Sequence, residues 1–232
     1  VGQEPPRREG EADMTNFSTD ADLLKWEPAL FREIALEHQC LARGQGAASA
    51  GYQVTAPGAQ FVSAHVRPGH VIHLAAAGQG VDGYYEVMSV EGETELLATV
   101  VGSPVGEWVP LPTATGLEFS IHTFDPQHEE ARWALLARFG LEMDAADAAQ
   151  NLERWILEHR SLRRASVALV LATVLRGQAA GMAGDAGLVR KAEHYARLYE
   201  DEVAKVRLHV DRDADGRPDD IRSLGSHRLW RD

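Results

Sequence analysis

The stretch YYEVMSVEGETELLATVV, residues 84–101, decides the fold class. Two runs rich in β-branched and aromatic residues, 84–90 and 96–101, flank the polar segment 91–95, which contains one glycine. Strand-forming runs joined by about five residues with a glycine are typical of an antiparallel hairpin. The sequence therefore predicts an antiparallel β-sheet in the first half of the chain.

Similar short runs lie on both sides of this hairpin, at 52–54, 61–62, 71–74 and 117–123, and glycine and proline separate them. Short strands at such spacing predict a small β-barrel or sandwich over residues 39–124. One glycine-rich segment, GQGVDG at 78–83, has the letters of a dinucleotide-binding loop. Such a loop must open a helix, and a strand-like run follows here, so we interpret it as a turn between strands.

The residues before the β-region predict two different kinds of structure. Residues 1–18 are polar and charged, which indicates a flexible N-terminal arm. Residues 19–38 predict short helices, because Thr19 or Asp20 can cap the first helix and Pro28 suits the first turn of the second.

From residue 125 the apolar period becomes helical. Asp125 is the predicted N-cap, and four helices of a bundle are expected over 125–205. The third, 162–177, is apolar nearly all round and is therefore the expected central helix. The apolar positions predicted for the second helix are Leu152, Trp155, Ile156 and His159, and those for the fourth are Leu188, Ala192, Tyr195, Tyr199 and Val203.

The last segment, 206–232, predicts a C-terminal hairpin with strands at 206–210 and 224–230 around a loop at 211–220. The predicted fold class is therefore α+β: N-terminal short helices, a small β-barrel or sandwich insertion, and a C-terminal helical bundle ending in a β-hairpin.

Composition excludes several classes of function. The net charge of −12 disfavours wrapping of nucleic acid, which requires basic residues. The longest apolar run, 167–175, is shorter than the roughly 20 residues of a membrane span, so no membrane association is expected. One cysteine, Cys40, excludes an internal disulfide and fits a reducing compartment such as the cytoplasm.

An aspartate-rich turn, DRDADG at 211–216, matches the first half of a calcium loop. Its candidate ligands are Asp211, Asp213, Asp215 and Asp219. Position 12 of such a loop requires a bidentate glutamate, and Arg222 stands there instead. Two interpretations remain open: a Ca²⁺ site outside the EF-hand class, or a plain Asp-Gly turn between two strands.

No other pattern indicates catalysis, and we expect a protein that is not an enzyme. The ten histidines show no metal-ligand spacing on a helix, and no G-x-S-x-G motif occurs. Tyr84 and Tyr85 have the chemistry to stack bases, but alternate burial in a sheet is the better interpretation. Basic residues that we interpret as subunit contacts are Arg160, Arg163, Arg164, Arg228 and Arg231. For the first three, pairing with Asp and Glu of the fourth predicted helix is the alternative.

Several segments resemble the head–tail connector (adaptor or neck) proteins of tailed bacteriophages. They are LLKWEP at 23–28, FREI at 31–34, SLRRAS at 161–166, KAEHY at 191–195, VDRDADG at 210–216 and RLWR at 228–231. The resemblance implies a structural virion protein of the phage neck that assembles in the host cytoplasm into a ring, commonly a dodecamer. Its implied partners are other copies of itself, the portal protein and the next neck or tail-completion protein, with DNA passing through the ring. The alternative is a small calcium-dependent interaction module.

Overall fold

The computed structural model describes residues 16–102, 107–141, 156–182, 185–211 and 215–224. These residues form a mixed α+β protein with a closed six-stranded barrel, so the predicted class and the barrel are confirmed. The helices are α1 (Asp20–Trp26), α2 (Leu30–Glu33), α3 (Asp125–Arg138), α4 (Arg160–Gly181) and α5 (Ala186–Val203). The strands are β1 (Cys40–Gly51), β2 (Gln53–Thr55), β3 (Val71–Ala76), β4 (Val81–Val90), β5 (Glu95–Val100), β6 (Leu111–His122), β7 (Arg207–Val210) and β8 (Asp220–Ser223).

The described residues divide into two compact units. One comprises residues 19–125, with α1, α2 and the barrel. The other comprises 16–18 and the described residues from 126 onward. None of the described helices is both long enough and apolar enough to span a bilayer.

The barrel has the antiparallel strand order β1-β2-β5-β4-β3-β6, and β6 closes it onto β1. Buried side chains from all six strands belong to one hydrophobic cluster, which fills the interior as expected for so few strands. Among them, Phe61 and Phe119 pack edge to face with their ring centroids 5.9 Å apart. Because the interior is packed, the outer face of this barrel is where a ligand has room to bind.

Two parts of the barrel differ from the sequence prediction. The interpretation of Cys40 as a half-buried residue at the start of a strand is confirmed, but the rest of β1 was not among the predicted runs, because its sequence CLARGQGAASAG is rich in glycine and alanine, which have low β-propensity. It forms because Gly44 lies against the ring of Phe119, where an added Cβ would come within 2.8 Å of Cε1. The predicted strand at 61–62 is wrong: these residues form a turn, and Phe61 is buried as a core residue without strand pairing.

The hairpin predicted at 84–101 is confirmed as the antiparallel pair β4–β5. The glycine-rich segment is also a turn as predicted, since it connects β3 to β4. Strand β6 is longer than expected and begins at Leu111, before the predicted run at 117–123.

Helix α1 begins as the sequence predicts, with Thr19 as N-cap in a capping box with Asp22. The backbone N–H of Ala21 donates to the carbonyl of Gly69 at 3.0 Å, which ties α1 to the loop before β3. Gly69 has φ +90°, and an added Cβ would lie 2.7 Å from Cγ2 of Thr19. The close approach of α1 therefore requires glycine at this position.

The side chain of Asp125 does not act as the predicted helix cap. The hydroxyl of Thr123 accepts the backbone N–H of Asp125 at 3.0 Å. The Asp125 carboxylate instead accepts Arg67 Nη2 at 2.7 Å and His70 Nε2 at 2.9 Å, both at Oδ2. Burial raises the pKa of Asp125, but the hydrogen bonds and charges of His70 and Arg67 outweigh burial and hold it well below its usual range.

The helices of the second unit agree with the sequence in part. Asp185 caps α5 through Gly187 and Leu188, and Ala192, Tyr195, Tyr199 and Val203 are buried on one face as predicted. Leu152 and Trp155 of the predicted second helix lie outside the described residues. Ile156 is not helical, because it forms a β-bridge with Val210, so that part of the prediction is wrong.

Two terminal predictions also need correction. Phe17 and Ser18 were assigned to the flexible arm, yet both are buried, and Ser18 Oγ lies 2.8 Å from His128 Nδ1. Strand β8 begins at Asp220 and replaces the end of the loop predicted at 211–220, while residues 225–230 of the strand predicted at 224–230 lie outside the described residues. The pairing of Val210 with Asp220 brings the second strand back directly after the aspartate-rich turn.

Candidate functional site

The aspartate-rich turn between β7 and β8 is held by its own hydrogen bonds. Asp211 is only 1% exposed, and its Oδ2 accepts the backbone N–H of Gly216 at 2.8 Å. Asp215 Oδ1 accepts the backbone N–H of Arg217 at 2.8 Å. Asp213 lies outside the described residues. Across the part of the chain that the structure describes, no group of three or more His, Cys, Asp or Glu residues is arranged to hold a metal ion.

Arg222, which occupies the glutamate position of the calcium pattern, has a structural role. Its Nη1 donates to the carbonyls of Phe139 and Gly140, both at 2.7 Å, and its Nε donates to Asp220 Oδ2 at 2.9 Å. Carbonyls after the last turn of a helix have no partner within the helix, so a guanidinium is a suitable donor there. Arg222 therefore clamps β8 to the end of α3.

Within the described ranges, one edge of strand β8 has no strand partner, and we call it the open edge. Among the described residues, β8 pairs with β7 alone. The other side of β7 contacts residues 156–157, because the Leu157 N–H donates to the His209 carbonyl. Apolar side chains lie at this open edge: Ile221 is 58% exposed and Leu224 is 40% exposed. The two-stranded sheet thus offers a clamped, partly apolar strand whose outer hydrogen-bonding groups face away from β7.

The arginines that the sequence suggested as subunit contacts have different surroundings. Arg164 Nε donates to Glu202 Oε2 of α5 at 3.1 Å, in the same chain. Burial raises the pKa of Glu202, but Lys205 and Arg164 outweigh it and lower that pKa below its usual range. Arg160 and Arg163 lie in the first turn of α4, also within interacting distance of other groups. Arg228 and Arg231 lie outside the described residues.

A second candidate site is a cavity of about 190 Å³ between α2 and the outer face of the barrel. The strand register builds its floor. Tyr84, His73 and Ser120 are direct neighbours across β4, β3 and β6, and His122 pairs with Val71 one step along the same face. Phe31 and Arg32 of α2, together with Ala35, complete the lining.

The aromatic groups of this cavity pack against one another. The His73 ring stacks on Tyr84 with centroids 4.5 Å apart and an interplanar angle of 25°. His73 Nε2 also lies 2.7 Å from Asp82 Oδ1. The Phe31 ring is 6.3 Å from that of Tyr84, within the range of favourable aromatic contact.

Electrostatics distinguish the two sides of the cavity. Burial lowers the pKa of His122 below its usual value. The negative charge of Glu37 raises this pKa, whereas the charges of Arg43 and His73 lower it, and the imidazole is therefore neutral at pH 7. Its Nε2 is buried and has no hydrogen-bond partner among the described residues. Burial and Asp82 raise the pKa of Tyr84, while the positive charge of Arg32 opposes this shift.

Sequence reasoning missed this cavity because it treated the histidines as scattered. The available signal was alternation: 71 and 73, 84 and 86, and 120 and 122 each share a face of one strand. Alternation alone does not show that the three strands are neighbours, and only the closed barrel order does so.

Comparison with protein-family models, with curated proteins and with solved structures finds no match for this chain. Its function is therefore argued from the two candidate sites.

Proposed function

We propose that this chain is a non-catalytic structural protein of a phage neck, forming a ring that joins the portal to the tail and surrounds the DNA passage. The observation that carries the proposal is the open edge of β8, clamped by Arg222 and lined by exposed Ile221. The sequence segments that resemble head–tail connectors supply the class of assembly.

An open edge strand is a template for pairing with another chain, and proteins that remain monomeric usually protect such edges with charge, proline or a cover. Ile221 provides none of these protections, and the charged side chains on either side of it, Asp220 and Arg222, bind each other, while Arg222 also binds backbone carbonyls at the end of α3. The Arg222 clamp fixes the strand before it meets a partner, which lowers the entropy cost of pairing. β8 therefore suits addition of a strand from a neighbouring subunit.

A contact between β8 and a different surface of the next subunit is heterologous, and heterologous contacts form rings when their rotation closes. In this proposal the helices of the second unit are a bundle that ends in the β7–β8 hairpin, and they line or surround the DNA channel. The net charge of −12 supports this use, because an acidic bore repels DNA and lets it slide. The portal protein would contact one side of the ring, and the next neck or tail-completion protein the other.

The test is the oligomeric state, measured by mass photometry and negative-stain electron microscopy on the chain alone and after mixing with portal rings. We expect closed rings or addition to the portal. A chain that stays monomeric and never adds to portal rings would overturn the proposal.

Two variants test the edge strand itself. Ile221→Lys places a charge on the edge and should shift the population toward monomers. Met182→Lys is the matched control, because Met182 is a 55% exposed apolar residue directly after α4 and does not belong to β8, and it should assemble like the parent chain. Equal assembly of both variants would refute the role of β8 while leaving ring formation to be judged from the parent chain.

A further inference from the structure

We propose that the cavity between α2 and the barrel binds a small aromatic carboxylate, a single ring that carries one carboxylate group. This site is separate from the β8 edge and goes beyond the proposed structural function. Its ligand class follows from the size, charge and aromatic lining of the cavity.

The size of the cavity limits the ligand to one ring. Its volume is about 190 Å³. A cavity of roughly 150 Å³ accommodates benzene, whereas sites for drug-sized ligands occupy about 300–1,000 Å³. A benzene ring with one small substituent fits, and a nucleotide does not.

The charge of the lining favours an anion. The lining contains Arg32 but no carboxylate, and the described residues provide Arg32 with no ion pair. Asp82 and Glu37 are the acidic residues whose charges affect the pKa values of the cavity residues. Asp82 already binds His73, and Glu37 already binds Arg43. The lining of this cavity is therefore cationic, although the chain as a whole has a net charge of −12. A guanidinium is the side chain best suited to bind a carboxylate through two parallel hydrogen bonds.

The walls also match the rest of the ligand. The rings of Phe31 and Tyr84 offer aromatic surface on the α2 side and on the barrel side. The hydroxyl groups of Ser120 and Tyr84 are additional donors. His122, neutral at pH 7, contributes a polar ring whose buried Nε2 has no partner in the described part of the chain. Small-molecule sites combine aromatic or aliphatic walls with convergent polar groups, and this cavity combines Phe31, Ala35 and Val71 with polar side chains.

The experiment uses benzoate as the probe, with isothermal titration calorimetry for affinity and amide NMR shifts for location. Benzyl alcohol tests the need for charge, acetate tests the need for the ring, and benzylamine tests the sign of the charge. We expect benzoate to bind with a Kd of about 1 mM or tighter and to shift the amides of 120–122 and 71–73. The three other probes should bind at least about tenfold more weakly.

Two variants locate the interaction. Arg32→Gln should weaken benzoate binding about tenfold or more, and Ser120→Ala should weaken it by a smaller factor. Arg217→Gln is the matched control, because Arg217 is an exposed arginine of the turn between β7 and β8 that does not belong to the lining, and its benzoate affinity should be unchanged. Absence of benzoate binding, equal binding of benzylamine, or an unchanged affinity in Arg32→Gln would each overturn the proposal.

Discussion

Replacement of Asp125 by asparagine tests the partly buried cluster that Asp125 forms with Arg67 and His70 of the loop before β3. Asp125 Oδ2 accepts hydrogen bonds from Arg67 and from His70, whose side chain is only 3% exposed. The amide oxygen of asparagine keeps the geometry and removes the charge. A hydrogen bond to a charged group contributes about 1.5–3 kcal/mol to stability, and a neutral one contributes about 0.5–1.5 kcal/mol. Asp125→Asn removes the carboxylate charge from two hydrogen bonds, so we expect the free energy of unfolding to fall by about 2 kcal/mol.

Asp125→Ala should cost more, about 3–5 kcal/mol, because it also leaves the buried His70 Nε2–H without its acceptor. Asp82→Asn is the control: Asp82 makes the same kind of bond, to His73, but its side chain is 80% exposed. An exposed pair of this kind contributes less than about 1 kcal/mol. The free energies of unfolding come from guanidinium titrations followed by circular dichroism, and hydrogen exchange at β3 and the first turn of α3 localises the effect.

The pH dependence has a definite sign. Because the pKa of Asp125 in the folded state lies below its ordinary value of 3.8, the cluster stabilises the fold fully above that pH. The stabilisation is lost as the pH falls below 3.8 toward the folded-state pKa. The difference between the parent chain and Asp125→Asn should therefore shrink in that window. A difference below about 0.5 kcal/mol at pH 7, or one that does not shrink in acid, would refute the reasoning.

Three further predictions follow from local geometry. Gly69→Ala should destabilise the first unit by about 2 kcal/mol or more in a thermal melt, because the residue has positive φ and its new Cβ would clash with Thr19. Gly58→Ala is the control: Gly58 has φ +76° but no neighbour within 4 Å, so this change should cost only about 1 kcal/mol. Equal losses of stability in the two variants would contradict the clash. Arg222→Ala should speed the amide hydrogen exchange of β8 about tenfold or more. Arg217→Ala, in the turn before β8, should leave the exchange rate of β8 unchanged. Unaltered exchange in both variants would show that the Arg222 clamp is not needed. Addition of calcium should give no heat in calorimetry and no shift in melting temperature, because Asp211 and Asp215 already accept backbone N–H groups of the turn. Saturable heat would instead support the calcium-dependent interaction module.

Local patterns carried the successful part of the sequence prediction. The β4–β5 hairpin, the buried face of α5 and the cap at Thr19 all depend on residues within a few positions of one another. Side-chain alternation, helical period and capping hydrogen bonds are short-range properties, so the sequence shows them directly.

The candidate sites depended on contacts that are distant in the chain. Tyr84, His73 and Ser120 become neighbours only through the register of three strands, and α2 then covers them with Arg32. The edge of β8 depends in the same way on Arg222, which reaches carbonyls more than 80 residues earlier.

By itself, the sequence determined that this is an acidic α+β chain with a small antiparallel barrel or sandwich, a strongly amphipathic last helix and an aspartate-rich turn. The tertiary structure decided that the glycine-rich β1 closes the barrel, that the Asp125 side chain binds Arg67 and His70 instead of capping α3, and that a cationic cavity lies under α2. The physical reason is that propensity and periodicity act over a few residues, whereas strand register, close packing at Gly44 and ion pairing depend on which distant segments the folded chain brings together.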